Sequence, residues 1–577
     1  MAAGRRRAQA KSRTPELADF LGVRAVAALL AVATALAGAL IAAVGTAGSA
    51  RAAEARPAAR LLPHGQVDRV DLGPKYAQAD AGILDRPSIS ADGRWVAFAS
   101  FARNLVRGLH KPPAPSKDDR QSDVYVRDRQ TGNTVLVSAT PDGAAGDGGS
   151  SAPVLSADGR WVAFESFADN LVPGVEGFRP GVTNVFLRDL STGKTTLLSG
   201  SGGRAGNDDS DTPTIDAHGD RIAFASRADN LVSDDHNEHG DVFVHDRPSG
   251  TVQRASLGAG GVELPTGSAT PSIDAAGDRV AFILAGTRGG TCEDAYVKDL
   301  TTGVLMLATV ATDSLGGCGH VEDVALSGDG HRVGFATTWM LAKADHDLTS
   351  DVYVRDLDRA TTTMVSAPRH PSLETQRGIS YGPALSRDGR WVAFTSFADD
   401  LGPATAPHTH NAFLADLQTG QLSLIARGHR GRLPAGSSYG VDITPDAAHL
   451  AFGSSAQNLV PRQNNRADDA FVLDRSGAQY PAARTPATAS VVAPHTEIDV
   501  GPYGTVAAGP QRFTLISDSI GVRFQCKFDG GTWRGCGRHV TWTVRPGWHV
   551  MRARAVDRSG NADPVPASRV FQAQQSR

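Results

Sequence analysis

Along most of the chain the apolar residues come in short groups. They alternate with polar residues or run four to six long, and turn residues close each group where a helix would have continued it at its own spacing. The grouping itself recurs. P-S-I-S-A-D-G-R-W-V-A-F begins at Pro87, P-V-L-S-A-D-G-R-W-V-A-F at Pro153 and P-T-I-D-A-H-G-D-R-I-A-F at Pro213. Seven copies end on Phe98, Phe164, Phe224, Phe282, Phe335, Phe394 and Phe452. A second element follows each Phe, D-V-Y-V-R-D over Asp123 to Asp128 in the first copy and D-V-F-V-H-D over Asp241 to Asp246 in the third. Its last residue is Asp128, Asp189, Asp246, Asp299, Asp356, Asp416 or Asp474.

Each unit predicts four strands, in the first copy over 87–90, 94–100, 123–127 and 134–138. Asp92-Gly93 supplies the turn between the first two and Thr131-Gly132 the turn between the last two, because glycine accepts positive φ without strain. Four-stranded antiparallel units repeated in series predict an all-β fold, a seven-bladed β-propeller over residues 66–479. The seventh unit stops after Asp474-Arg475-Ser476-Gly477 with no fourth strand. Val67-Asp68-Arg69-Val70-Asp71-Leu72-Gly73, ahead of the first unit, has the pattern of the fourth strand Val252 to Gly258. The N-terminal strand is therefore expected to close the last blade, so that no sheet is left one strand short.

The D-G-R-W-V-A-F element, followed by D-V-Y-V-R-D and a T-G turn, resembles the TolB-like, WD-repeat-related propellers of bacterial envelope and secreted proteins. That resemblance implies the fold and an extracytoplasmic setting; it does not specify a ligand. After a Pro/Ala/Thr-rich linker over 480–494, residues 495–577 form a different module. Its strands are predicted around Phe513–Ile516, Phe524–Phe528, Val540–Val544 and His549–Ala555. F-Q-C-K-F-D-G-G-T-W-R-G-C and G-W-H-V-M-R-A-R-A-V-D-R-S-G-N-A-D-P resemble small immunoglobulin-like or fibronectin-like modules of bacterial secreted proteins, which implies a β-sandwich.

At the other end, Arg5, Arg6, Arg7, Lys11 and Arg13 precede an apolar run from Ala25 to Val44, with Ala50-Arg51-Ala52 after it. Residues 1–52 read as an export signal peptide or an uncleaved signal anchor, and 53–65 as a linker. Either reading puts the bulk of the chain outside the cytoplasm, secreted or associated with the envelope. An oxidising compartment suits the four cysteines, which fall as Cys292 with Cys318 and Cys526 with Cys536. The formal charge is −3, and no basic stripe suits a nucleic-acid backbone in the body of the chain.

The long second-to-third-strand loops and the connections between units share one face. They include Arg107 to Ser122, Pro173 to Val182, Ser233 to Gly240 and Pro368 to Ser380, and binding is expected there. On that face Asp235, Asn237 and Asp241, and again Asp345, Asp347 and Asp351, have the oxygen-rich spacing of a Ca²⁺ loop, echoed by Asp119 with Asp123. The same residues also serve as turn caps that bond their own backbone. Gly378-Ile379-Ser380-Tyr381-Gly382 and Gly436-Ser437-Ser438-Tyr439-Gly440 fit G-x-S-x-G, but each leads straight into a strand and not into a strand-to-helix elbow. His236, His239, His408 and His410 read as solvated loop residues, Trp95, Trp161 and Trp391 as packing, and the Asp128-type residues as acceptors for turn amides. The expectation is an exported, non-enzymatic binding or scaffold protein with no cofactor beyond such calcium. Its long-loop face would take a protein, a peptide or a cell-wall glycan. The alternative is a glycan lyase or hydrolase using carboxylates on that face.

Overall fold

A computed structural model describes residues 60–61, 65–109, 121–287, 292–311, 319–342, 345, 348–367, 378–398, 401, 409–429, 432–461, 463, 465–475, 496–502, 504–517, 522–556, 562 and 566–575. The expected signal segment, the 480–494 linker, Asp119, Cys318, Asp347 and His408 lie outside them. The chain is all-β, with Pro74–Tyr76 and Ala259–Gly261 as single 3₁₀ turns. No helix among the described residues is long and apolar enough to cross a membrane.

Among the described residues of the repeat region seven sheets each contain four neighbouring antiparallel strands. In the first sheet these are Ser88–Ile89, Trp95–Ser100, Asp123–Asp128 and Asn133–Leu136, within one or two residues of the expected limits. The N-terminal strand Gln66–Arg69 supplies the fourth strand of the seventh sheet. It pairs antiparallel with Asp469–Asp474 in the register Gln66↔Asp474 to Arg69↔Phe471. The segment read as linker also contributes, since Arg60 and Leu61 pair in parallel with Ser423 and Leu424 at the edge of the sixth sheet.

The repeated residues occupy repeated places. The Phe that ends each copy is fully buried and stacks on the aromatic ring directly opposite it in the third strand, from Phe98 on Tyr125 (5.9 Å) to Phe452 on Phe471 (5.7 Å). Asp128, Asp189, Asp246, Asp299, Asp356 and Asp416 accept from turn amides, as Asp128 does from Gln130 and Thr131. Each of the seven Asp128-type carboxylates also has a partner the sequence reading missed, a basic residue at the start of the second strand: Arg94, Arg160 and Arg390 stand just before it, and Arg221, Arg279, Arg332 and His449 are its first residue. The pairs are Arg94–Asp128, Arg160–Asp189, Arg221–Asp246, Arg279–Asp299, Arg332–Asp356 and Arg390–Asp416, with His449 facing Asp474 in the seventh sheet. Tryptophan fills the space between these cations. Trp161 lies between Arg160 (4.7 Å) and Arg247 (4.2 Å), and Trp391 between Arg390 (5.1 Å) and Arg475 (4.2 Å), so both rings are covered as packing residues.

Neighbouring sheets are joined at their short turns. Ala91 N–H donates to Ala157 O, Ala157 to Ala217, Ala217 to Ala275 and Ala275 to Gly328, then Asp329 to Arg387 and Arg387 to Pro445. The first strands of the seven sheets touch one another in a closed cycle, the seventh returning to the first.

The C-terminal module has two sheets, Thr496–Val500, Gly509–Ser517 and His539–Val544 in one, and Gly504–Ala507, Arg523–Phe528, Arg534–Cys536, Gly547–Val556 and Ala567–Gln574 in the other. Ile498, Phe513, Leu515, Val544, Met551 and Phe571 from both sheets meet in one buried cluster. Cys526 and Cys536 are disulfide-bonded across the Arg523–Phe528 hairpin. Cys292 is buried and disulfide-bonded as well.

Candidate functional site

First strands begin, and second strands end, at the long-loop end of each sheet, as Ser150 opposite Ser166 shows. Just inside that end the first strands are bulged in six sheets. Four of the bulges have a residue at positive φ in the same place: Ala152 (47°), Thr212 (49°), Thr270 (52°) and Gly382 (64°). A fifth is Gly440 (59°). These bulges explain the G-x-S-x-G motifs. Gly382 and Gly440 carry the positive φ, while a Cβ on Gly378 or Gly436 would stand 2.4 Å from Ala398 N or 2.8 Å from Ala456 Cα. The serines between them are buried, Ser380 bonded to Ser396 and Ser438 to Ser454, so neither hydroxyl is presented as a nucleophile.

The bulges also bring carboxylates to the centre of the cycle of first strands. Ala152 N–H donates to Asp85 (3.0 Å), Thr212 N–H to Glu165 (3.3 Å) and Ile89 N–H to Asp442 (2.9 Å), linking neighbouring sheets, and Ser151 Oγ donates to Glu165 (2.8 Å) within one sheet. Asp211 follows in the third sheet, and Glu322 and Asp323 in the fifth. Burial raises the pKa of Asp85, against the lowering effect of the Ala152 amide. Glu165 is raised by burial first and by the charges of Asp211 and Asp85 as well. Burial likewise raises Asp211. In Asp323 burial pushes the carboxyl up to about 6, although the Arg86 charge opposes it. Half-buried carboxylates that resist ionisation are costly to fold, so such a group in a cleft marks a candidate site.

Two tyrosines stand beside them. Tyr381 Oη lies 2.6 Å from His410 Nδ1, and Tyr439 Oη donates to Asp468 at 2.7 Å. Burial lowers the pKa of His410, whose ring packs on Phe397 at 3.6 Å, so His410 is a half-buried partner of Tyr381 and not the solvated loop residue expected. This assembly was not legible, because its members come from different sheets and precede or follow the recognisable motif.

The calcium residues resolve differently. Asp235 and Asp241 do converge, and Glu263, which sequence reasoning missed, joins them. Arg254 lies in their midst, its Nη1 3.2 Å from Asp235 and 3.2 Å from Asp241, and also bonded to Glu263. Asn237 turns its amide N–H₂ toward Asp241 (3.0 Å), so it donates there and leaves its oxygen to the His239 amide. The cation of this cluster is a guanidinium. In the fifth sheet Asp345 accepts from Tyr353 Oη (2.5 Å) and Asp351 from Ser366 (2.6 Å). Asp123 and Asp241 accept from Ser138 and Ser256, and each serine in turn accepts the next amide of the third strand. The Asp at the head of the third strand thus orients the loop into the strand, the turn-capping role of these residues.

No protein-family model matches the chain, and no curated protein matches it. Solved structures with a similar fold are TolB-like β-propellers and other propellers. TolB from Acinetobacter baumannii is 14% identical over 58% of this chain and 67% of its own, with a TM-score of 0.33. The β-propeller domain of the Trilobed protease from Pyrococcus furiosus is 13% identical over 70% and 99%, with a TM-score of 0.43. Oligogalacturonate lyase from Vibrio parahaemolyticus is 9% identical over 72% of this chain and 98% of its own, with a TM-score of 0.42.

Proposed function

We propose that the protein is an exported seven-bladed β-propeller with a C-terminal β-sandwich, and that it is a binding protein without catalytic function. The axial mouth on its long-loop face takes a cationic segment of a protein or peptide. The observation that carries this reading is the group of half-buried carboxylates, Asp85, Glu165, Asp211 and Asp323, whose ionisation is opposed by burial. An ammonium or guanidinium group entering the mouth would replace the lost hydration and relieve the repulsion between Glu165 and its acidic neighbours. The closed cycle of first strands supports the blade count, and the shared core of the two C-terminal sheets supports the sandwich.

An enzyme on the same face is the second reading, favoured by the 2.6 Å Tyr381–His410 contact beside Glu322. The two separate in one experiment on residues 53–577. Lys/Arg-rich, neutral and acidic peptides are titrated by calorimetry, and the same peptides and a glycan panel are assayed for turnover. Selective binding of basic peptides, weakened at least tenfold in Glu165→Gln/Asp323→Asn, is expected. Because Asp323 must give up its proton to pair with a cation, affinity should rise as pH climbs through about 6 and fall below it. Turnover lost in Tyr381→Phe would establish the enzyme instead.

A further inference from the structure

The C-terminal module carries a charge opposite to that of the body. Residues 495–577 contain 11 Lys/Arg and 6 Asp/Glu, a net of +5, whereas residues 53–494 contain 40 and 53, a net of −13. The inner side of its five-stranded sheet is fixed by Cys526, Met551, Ala553, Phe571 and Ala573, all buried. Strand alternation then sends Trp548, Val550, Arg552 and Arg554 of one strand to the opposite side. The register adds Val570 beside Val550, Lys527 beside Arg552 and Gln525 beside Arg554. Trp548 is 68% exposed and Val570 53%, large apolar surfaces to leave in water. The Arg554 guanidinium lies 4.4 Å from the Trp533 ring centroid and bonds Gln525 at 2.8 Å, so it is held in place at the surface.

From this face we infer a second binding site, one for an extended anionic glycan. Six residue steps along one strand lead from Trp548 to Arg554, about 20 Å at the rise of a β-strand, which is several sugar units long. The exposed indole offers a flat apolar surface for a sugar ring, and Arg552, Lys527 and Arg554 offer a row of donors to carboxylate or phosphate groups further along the chain. The side chains stand on a sheet and do not project from a loop tip, so they present a flat strip to a linear polymer more readily than a wedge to a bilayer. No acidic residue occupies an outward position in the paired stretches Arg523–Lys527, Trp548–Arg554 and Ser568–Gln572. The site is independent of the axial mouth and of the reading proposed for it.

The test is affinity electrophoresis and calorimetry of residues 53–577 with alginate as a polyuronate, poly(glycerol phosphate) as a phosphate polymer and dextran as a neutral control. Binding to at least one polyanion and not to dextran is expected. It should weaken at least tenfold in Trp548→Ala and in Arg552→Ala/Lys527→Ala, and stay unchanged in Glu165→Gln. The exposed positions allow folding to be verified by an unaltered unfolding midpoint. The two polyanions distinguish carboxylate from phosphate recognition. Equal binding to dextran, binding of all variants alike, or binding only to vesicles containing anionic lipid would overturn the proposal.

Discussion

In the third sheet Arg254 stands opposite Phe243 in the strand register, and in the fifth Met364 stands opposite Tyr353 at the matching place. One substitution between repeats therefore decides whether the loop carboxylates enclose a guanidinium. The Arg254 side chain is 2% exposed and that of Asp241 fully buried, so removing the cation would strand charge in a poorly hydrated place. Arg254→Ala is expected to lose about 3 kcal/mol or more of stability, the usual consequence of breaking a buried pair. Asp235, Asp241 and Glu263 would then lie close enough for a divalent ion. Thermal unfolding with and without millimolar Ca²⁺ should show partial rescue of the variant and no shift in the parent chain. A calcium-induced shift in the parent would mean that the ion binds elsewhere, with Asp345 and Asp351 the first residues to substitute.

At the scale of elements, the short D-G turns do more than reverse the chain. Gly159 has φ of 70°, and a Cβ there would come within 2.3 Å of Trp95 Cδ1 in the neighbouring sheet; Gly219 meets Trp161 in the same way at 2.5 Å. The turn glycine thus accepts positive φ and also seats the sheet against its neighbour's tryptophan. Gly108 has a similar φ of 72° with nothing within 4 Å of its added Cβ, and so isolates the first effect. Gly108→Ala is expected to lose roughly 1 kcal/mol from the left-handed conformation, and Gly159→Ala at least 2 kcal/mol more from overpacking. Chemical denaturation of the two variants measures the difference, and equal losses would show that Trp95 yields without cost. The turns themselves were legible, because Asp-Gly and Thr-Gly declare positive φ locally. The Trp contact was not, since about sixty residues separate its two sides.

At the scale of the molecule, the pairing of Gln66–Arg69 with Asp469–Asp474 joins segments about 400 residues apart. Arg69 reinforces it, bonding Asp71 at 2.9 Å and Asp469 at 2.6 Å with both carboxylates fully buried. Deleting Gln66 to Gly73 removes a strand and leaves Asp469 without Arg69, so a large drop in the unfolding midpoint is expected by calorimetry. An unchanged midpoint would show that the contacts between first strands suffice to hold the cycle. This pairing was readable because the seventh unit lacks a strand and an orphan copy of its pattern lies at the other end of the series. The axial carboxylates were not, because a residue's distance from the axis depends on how seven sheets are arranged.

The sequence by itself determined the strands, their turns, the number of repeats and the exchange of the terminal strand. Each of these follows from local alternation, from glycine's freedom at positive φ, or from a pattern copied along the chain. Only the tertiary structure decided that Asp235 and Asp241 hold an arginine, that Ser380 and Ser438 are buried structural hydroxyls, and that acids of different sheets meet at the centre. Those outcomes depend on which side chains face each other across sheets, and burial and electrostatics act on such neighbours whatever their separation in the chain.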